Sequence, residues 1–234
     1  MRGGARGPYR RATMIRPRLK RLKDIAYFLY VQRIKGFSAP GDPHLDPETA
    51  AALRELLAGS SFYLEFGSGG STLLADRLGV PTVCVDSDRY FADVVRRSLS
   101  AGTRVTVLHA NIGLTEAWGL PLNRRAPWRA RLWRRYIARP FQEIAKPTGF
   151  PDLIFVDGRF RVACVLESVR QAQLRGASTT ILVDDYDMPP AYHVVEQHLG
   201  APERIGRSAL FRIDPAAVPP IAEAIVAAAI MDPA

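Results

Sequence analysis

The chain has 234 residues, of which 47% are hydrophobic, so it can form one α/β domain with a sizeable buried core and some appended segments. Its net charge of +9 is unevenly distributed, because residues 1–37 carry +10 and residues 124–146 carry +7, which leaves −8 on the rest. The composition therefore indicates an acidic domain with two basic segments, and it excludes a uniformly basic protein. The two cysteines belong to no CxxC or Cys/His cluster, which argues against a zinc centre or a disulfide framework.

Residues 1–37 form a basic N-terminal tail whose Arg-, Gly- and Pro-rich beginning is typical of disordered chain. From residue 18 to 35 the apolar residues follow helical spacing, which predicts a basic amphipathic helix. Such a helix can contact an anionic membrane surface or nucleic acid, or it can dock on the domain. The apolar run "IAYFLYV" at 25–31 is too short to span a bilayer and has no cleavage site after it. We therefore expect a cytoplasmic protein, with peripheral membrane binding as an alternative.

The remaining residues, 38–234, begin with a helix that Asp46 is expected to cap, with Pro47 in its first turn and Gly59 at its end. Apolar runs and helical segments then alternate. Strands are predicted at 62–66, 82–86, 104–110, 152–157 and 179–185, helices at 70–78, 89–100, 161–175 and 190–199, and two short strands around Gly206. This alternation predicts a mostly parallel, seven-stranded sheet with a closing antiparallel strand and helices on both faces.

A glycine-rich turn, "YLEFGSGGSTLL", follows the first predicted strand and opens a helix. Its glycines allow a ligand to approach the backbone closely, with a helix N-terminus directly behind them. The dinucleotide fingerprint GxGxxG requires a glycine at position 72, where this chain has Thr72. Asp86 ends the next strand, where a carboxylate is well placed to accept hydrogen bonds from two ribose hydroxyls.

The segments "LEFGSGG" and "VCVDSD" resemble the first two motifs of the class I S-adenosylmethionine-dependent methyltransferases, and the order of elements over about 45–215 is similar too. The resemblance implies a Rossmann-like fold with S-adenosylmethionine as cofactor. It also implies a ribose contact from Asp86, shared with Asp88, and an adenine contact from Asn111. The methionine part is expected to lie against the loop residues Glu65, Gly67, Ser68, Gly69, Gly70 and Ser71. Ser71 replaces the third glycine of the motif, and an NAD-binding turn or a purely structural turn stay open as alternatives.

Two more acidic strand ends lie on the same predicted sheet edge, Asp157 in "VDGRFR" and the pair Asp184 and Asp185 in "VDDYD". They resemble the site of small-molecule O-methyltransferases that hold a divalent cation. The resemblance implies a metal bound by these three carboxylates. Asp157 and Asp184 are the candidate catalytic residues, with Asp157 as a general base or substrate contact if no metal binds, and a purely structural role stays open.

Alternatively, the arginines that follow Asp157 neutralise the carboxylates. Arg159 and Arg161 both lie close enough in sequence to do so, or to bind an anionic substrate. We predict that Arg159 and Tyr186 contact the substrate.

A long basic insertion, residues 112–151, separates the third and fourth predicted strands and interleaves Trp with Arg. It is suited to stack on bases, to cover an acidic small molecule or to lie on anionic lipid. A surface helix with Trp128 and Trp133 packed inward explains the same pattern.

Together these features predict a methyltransferase that uses S-adenosylmethionine and acts on an oxygen or nitrogen of a small-molecule or anionic acceptor. Three alternatives stay open. They are a non-catalytic module that docks on RNA or anionic membrane, an aminopropyl transferase and a nicotinamide-dependent oxidoreductase. The oligomeric state is not predicted.

Overall fold

A computed structural model describes residues 23–122, 127–144, 149–187 and 190–232, which separate into two compact units divided between residues 37 and 38. In the first unit, residues 23–30 form helix α1, which continues as a π-helix over Val31–Lys35. The part of the predicted amphipathic helix before residue 23 lies outside the described residues. Among the helices of the described chain, none is both long and apolar enough to cross a membrane.

The second unit is built on a seven-stranded sheet in the order β3-β2-β1-β4-β5-β7-β6. The first five strands are parallel, and β7 runs antiparallel to both β5 and β6. The strands are β1 Tyr63–Phe66, β2 Thr82–Asp86, β3 Val105–His109, β4 Leu153–Val156, β5 Thr179–Val183, β6 Glu203–Ile205 and β7 Ser208–Ile213. The helices are α2 Pro47–Ala58, α3 Gly70–Arg77, α4 Arg89–Ser98, α5 Ala130–Ile144, α6 Arg161–Arg175, α7 Glu196–Leu199 and α8 Glu223–Ala229. The predicted mostly parallel sheet with a closing antiparallel strand is therefore confirmed.

Helix α2 shows how closely local chemistry dictated an element. Asp46 accepts hydrogen bonds from the amides of Glu48 and Thr49, Pro47 occupies the first turn, and Gly59 ends the helix. Pro47 lacks an amide hydrogen that the first turn would leave unbonded anyway, so the helix begins there at little cost.

Helices pack on both faces of the sheet. On one face, Leu64 and Phe66 of β1 share a buried cluster with Trp133 and Tyr136 of α5 and with residues of α6. On the other face, Tyr63 packs with leucines of α2 and α3. Successive strand residues point to opposite faces, and both faces are covered by helices. Every residue of β1 is therefore buried, as expected for a central strand of a parallel sheet.

The structure differs from the sequence predictions at three elements. Residues 190–195 form a 3-10 helix, and only Glu196–Leu199 is α-helical, because Tyr192 and Val195 are buried together at the three-residue spacing of a 3-10 turn. Trp133 is fully buried, but Trp128 is 73% exposed and precedes α5 rather than packing inward. Helix α8 follows the sheet and was not predicted.

Candidate active site

The predicted site lies at the carboxyl edge of the sheet, where β1 stands between β2 and β4. Strands β1 to β3 extend the sheet in one direction, and the chain then crosses back to place β4 on the other side of β1. In such a fold the ligand crevice lies where the strand order reverses, beside the end of β1. The loops after β1 and β4 touch there, since a Cβ atom on Gly67 would lie 3.2 Å from the amide nitrogen of Gly158. Gly67 has a φ of +108°, which residues with a side chain rarely adopt.

Glu65 is buried beneath the glycine loop and is 1% exposed. One of its carboxylate oxygens accepts the hydroxyl of Ser71, and the other accepts that of Thr72 at 2.7 Å. Thr72 Oγ1 in turn accepts the amide of Gly69 at 3.0 Å. Burial raises the pKa of Glu65 to about 8, although the two hydroxyls act in the opposite direction. In this arrangement Glu65 and Ser71 fix the shape of the loop, and their contact with a cofactor stays a prediction.

Asp86 links the glycine loop to the end of β2. Its Oδ2 accepts the hydroxyl of Ser68 at 2.6 Å, and its Oδ1 accepts the amide of Asp88 at 2.8 Å. Burial raises the pKa of Asp86 to about 6, so the charged carboxylate is only partly compensated by its present partners. The Asp88 side chain caps α4 by accepting the amides of Tyr90 and Phe91. The ribose contact predicted for the two residues stays a prediction.

Two other predicted cofactor residues have identifiable local roles. Gly70 is required by packing, because a Cβ atom there would lie 2.1 Å from the carbonyl oxygen of Asp42. Asn111 is exposed after β3, and its Oδ1 accepts the amide of Gly113 at 2.9 Å. The adenine contact of Asn111 stays a prediction. Gly70 leaves room for the backbone at Asp42 to pack against the loop.

The structure brings Asp157, Asp184 and Asp185 together at the ends of β4 and β5, with one oxygen from each within 4.8 Å of the others. Two guanidinium groups already pair with them. Arg161 lies 3.1 Å from Asp157 and 3.3 Å from Asp185, and Arg207 lies 2.8 Å from Asp184 and 3.1 Å from Asp185. A divalent cation would have to displace a guanidinium or lie beside two of them. These side chains therefore fit an ion-pair cluster better than a metal centre.

The two predicted catalytic carboxylates have different surroundings. Asp184 is 1% exposed, and its oxygens accept hydrogen bonds from Arg207 and from the hydroxyl of Ser208. The Asp157 side chain is 37% exposed and pairs with Arg161 through one oxygen. Burial of the carboxyl group, opposed by Arg161 and aided by the neighbouring carboxylates, raises the pKa of Asp157 to about 7. Asp157 is the more exposed of the two, and its own raised pKa suits a general base at neutral pH.

The two predicted substrate residues also differ. Tyr186 is 1% exposed, packs against Phe211 and His193, and donates its hydroxyl to Glu196, so it belongs to the core beside the site. Arg159, in the loop after β4, has a buried Nε with no hydrogen-bond partner in the part of the chain that the structure describes.

Sequence reasoning missed three contributors. Thr72 counted only as a missing glycine, although its hydroxyl joins Gly69 to Glu65. Gly158 directly follows the acidic strand end in "VDGRFR", and a glycine at that place indicates a close approach of backbone. The third is a hairpin-like loop, residues 114–122, closed by an antiparallel bridge between Thr115 and Pro121 and carrying Trp118 at its tip. Only the tertiary structure shows that this Trp118 hairpin contacts the site.

The strand order, the antiparallel β7 and the glycine loop leading into α3 define a Rossmann-like fold of the class I methyltransferase type. Comparison with solved structures agrees. A methyltransferase-like protein from Silicibacter pomeroyi is 32% identical, with a TM-score of 0.71, and the match covers 83% of this chain and 100% of that one. The chain therefore belongs to the class I methyltransferase family.

More distant structures also match. Cofactor-bound Rv0187 from MTB is 20% identical with a TM-score of 0.41, over 70% of this chain and 65% of that one. The CcbJ methyltransferase from Streptomyces caelestis is 18% identical with a TM-score of 0.33, over 64% and 57%. Neither is similar enough to inform the function of this chain. No family profile matches the chain, and no curated protein matches it.

Proposed function

We propose that this methyltransferase uses S-adenosylmethionine to methylate an oxygen or nitrogen atom of its acceptor. The observation that carries the proposal is the pairing of a glycine loop with an incompletely compensated carboxylate. The turn at Gly67 leaves backbone without side chains at the end of β1, and Asp86 lies across it, tied to the loop by Ser68. A ribose would present two hydroxyl donors to this carboxylate. Their hydrogen bonds would stabilise its charged form, which burial disfavours.

Each residue of the site has a defined task in this proposal. The backbone from Gly67 to Gly69 lies against the methionine part, Asp86 accepts from the ribose hydroxyls, and Asn111 lies near the adenine. Glu65 and Thr72 act through the loop by holding Gly69 in place. When bound, the cofactor would supply an electrophilic methyl group on a positively charged sulfur, with S-adenosylhomocysteine as the leaving group when an oxygen or nitrogen of the acceptor bonds to that methyl.

The protein's contribution to such a displacement is chiefly orientation. Asp157 is the residue that can also take a proton, because its carboxylate is accessible and its pKa is raised to about 7. A loss of this base reduces turnover but leaves the positioning in place.

Isothermal titration calorimetry with S-adenosylmethionine tests the proposal. We expect micromolar binding to the wild-type protein, no binding of NAD, and a loss of at least tenfold in affinity for Asp86→Ala, since a hydrogen bond to a charged group is worth roughly 1.5–3 kcal/mol. The matched control is Asp88→Ala, which removes a neighbouring carboxylate that caps α4. That variant should lose about 1 kcal/mol of stability and little cofactor affinity.

Equal losses of affinity in the two variants would contradict the assignment of the ribose to Asp86. An absence of binding to the wild-type protein would contradict the proposed function as a whole.

A further inference from the structure

Arg159 takes part in none of the ion pairs that the described residues form at this edge, whereas the neighbouring arginines each have such pairs. Arg161 is paired with Asp157 and Asp185, and Arg207 with Asp184 and Asp185. Within the described chain, Arg159 forms no comparable ion pair, and its Nε is buried without a hydrogen-bond partner. Leaving a buried donor unbonded costs free energy of folding, so an arginine at position 159 calls for an explanation.

The backbone that presents Arg159 is held rigidly. The next residue, Phe160, has a φ of +57° and no exposed surface, a strained conformation for an aromatic residue. Its ring lies 5.6 Å from that of Trp133 and 5.9 Å from that of Tyr136, measured between centroids. The hydroxyl of Tyr136 accepts the amide of Arg159 at 3.4 Å. The loop therefore fixes the backbone from which the Arg159 side chain extends, which limits where its guanidinium can lie.

The Trp118 hairpin places Arg159 beside the proposed cofactor site. Gly119 lies close to the loops that follow β2 and β4, the two strands beside β1. Its carbonyl accepts the hydroxyl of Ser87, which follows β2, at 3.4 Å. A Cβ atom on Gly119 would lie 3.8 Å from Cγ of Arg159, which follows β4. The hairpin thus reaches across the edge at which β1 ends. Trp118 itself is 82% exposed with a φ of +64°, a second strained residue at this edge.

We propose that Arg159 binds an oxyanion of the methyl acceptor, a carboxylate or a phosphate group, beneath the Trp118 hairpin. This inference rests on the proposed function and names the class of acceptor for it. A planar guanidinium is suited to two parallel hydrogen bonds to such a group, and its Nε–H, which protein atoms cover in the free protein, takes part when the anion displaces that cover. Burial, together with the positive charge of Arg161, lowers the pKa of Arg159, and the charge of Asp157 opposes this lowering only in part.

The position of Arg159 favours the acceptor over the cofactor. Asp86 and Ser68 lie on the β2 side of the glycine loop, whereas Arg159 and Asp157 lie on the β4 side. An acceptor anchored at Arg159 has its nucleophilic atom near Asp157, the accessible base.

The inference can be tested by NMR on the full-length protein loaded with S-adenosylhomocysteine. The Nε–H signal of Arg159, identified by its loss in Arg159→Lys, is followed during titrations with inorganic phosphate and, separately, with benzoate. We expect a saturable shift with at least one of them, and the more effective probe distinguishes a phosphate from a carboxylate. In Arg159→Gln, which lacks this reporter and is followed through its backbone amide shifts, binding of that anion should weaken roughly 10- to 100-fold. Arg135→Gln, which removes an exposed charge on α5, should leave it unchanged.

Thermal unfolding of the wild-type protein with each anion, against chloride at equal ionic strength, provides a measurement that needs no variant. An absence of saturable shift and of stabilisation for both anions would overturn the inference. So would an equal loss of S-adenosylhomocysteine affinity in Arg159→Gln, since Arg159 would then bind the cofactor's own carboxylate. Failure of the wild-type protein to bind S-adenosylhomocysteine refutes the proposed function instead, and the anion titration of the unloaded protein still reports on Arg159.

Discussion

Gly67 and Gly158 lie back to back at the carboxyl edge of the sheet. A Cβ atom on Gly67 would lie 3.2 Å from the nitrogen of Gly158, and one on Gly158 would lie 2.9 Å from the nitrogen of Gly67. The loop that forms the proposed cofactor site and the loop that presents Asp157 and Arg159 are thus in direct backbone contact. A change in one loop is therefore expected to move the other.

Replacing Gly158 with alanine should destabilise the protein by about 1–3 kcal/mol, as overpacking does. The added methyl would collide with the hydroxyl of Tyr136 at 2.0 Å as well as with Gly67. Chemical denaturation measures the loss, and Gly41→Ala, where no heavy atom lies within 4 Å, should be close to neutral. In a Tyr136→Phe background the cost of Gly158→Ala should shrink but persist. Its complete disappearance would show that the contact with Gly67 is relaxed at no cost.

The free energy of unfolding of Glu65→Gln, relative to that of the wild type, should increase as the pH rises. The pKa of Glu65 is raised from 4.5 to about 8, so the folded protein retains a proton that the unfolded chain releases within this range. The wild-type contribution is therefore full below about pH 4.5 and is lost as the pH rises towards 8. The neutral glutamine lacks this dependence. The difference in unfolding free energy, measured from pH 5 to 8, should change by up to about 1.4 kcal/mol per pH unit. A constant difference would indicate that Glu65 is ionised throughout.

Turnover should fall as the pH drops through about 7, because Asp157 must be deprotonated to accept a proton from the acceptor. With the acceptor identified by a screen of carboxylates and phosphates, Asp157→Asn should lower kcat by about 100-fold, while the KM for the cofactor stays close to that of the wild type. Its pH profile should lack the acidic limb. If Asp157→Asn retains that limb, another group is the base.

Divalent cations should not stabilise the protein. Dialysis against a chelator followed by addition of Mg²⁺, Mn²⁺ or Ca²⁺ should leave Tm unchanged, because Arg161 and Arg207 already occupy the positions beside the three carboxylates. A specific site filled at 100 times its Kd would add about 2.7 kcal/mol of stability, which a thermal melt detects readily. A saturable increase that disappears in Asp185→Asn would show that a metal displaces a guanidinium.

Local features of the sequence predicted the elements that depend on local chemistry. The span of α6, residues 161–175, was predicted as observed, and so was the cap of α2 by Asp46. Both depend on contacts between residues close in the chain. The helix predicted over 190–199 is present, but its first six residues form the tighter 3-10 turn, in which Tyr192 and Val195 are buried against the rest of the domain.

The sequence by itself determined the order of strands and helices, the glycine turn after β1 and the acidic residues at the strand ends, because periodicity, capping and turn chemistry act over a few residues. Only the tertiary structure decided which charges meet. Arg207, 22 positions beyond Asp185 in the chain, reaches the acidic cluster, whereas Arg159, two positions from Asp157, forms no ion pair there within the described residues. The physical reason is that an ion pair depends on distances of a few ångströms in space. Those distances are set by how β4, β5 and the β6–β7 turn pack together, and spacing along the chain does not encode them.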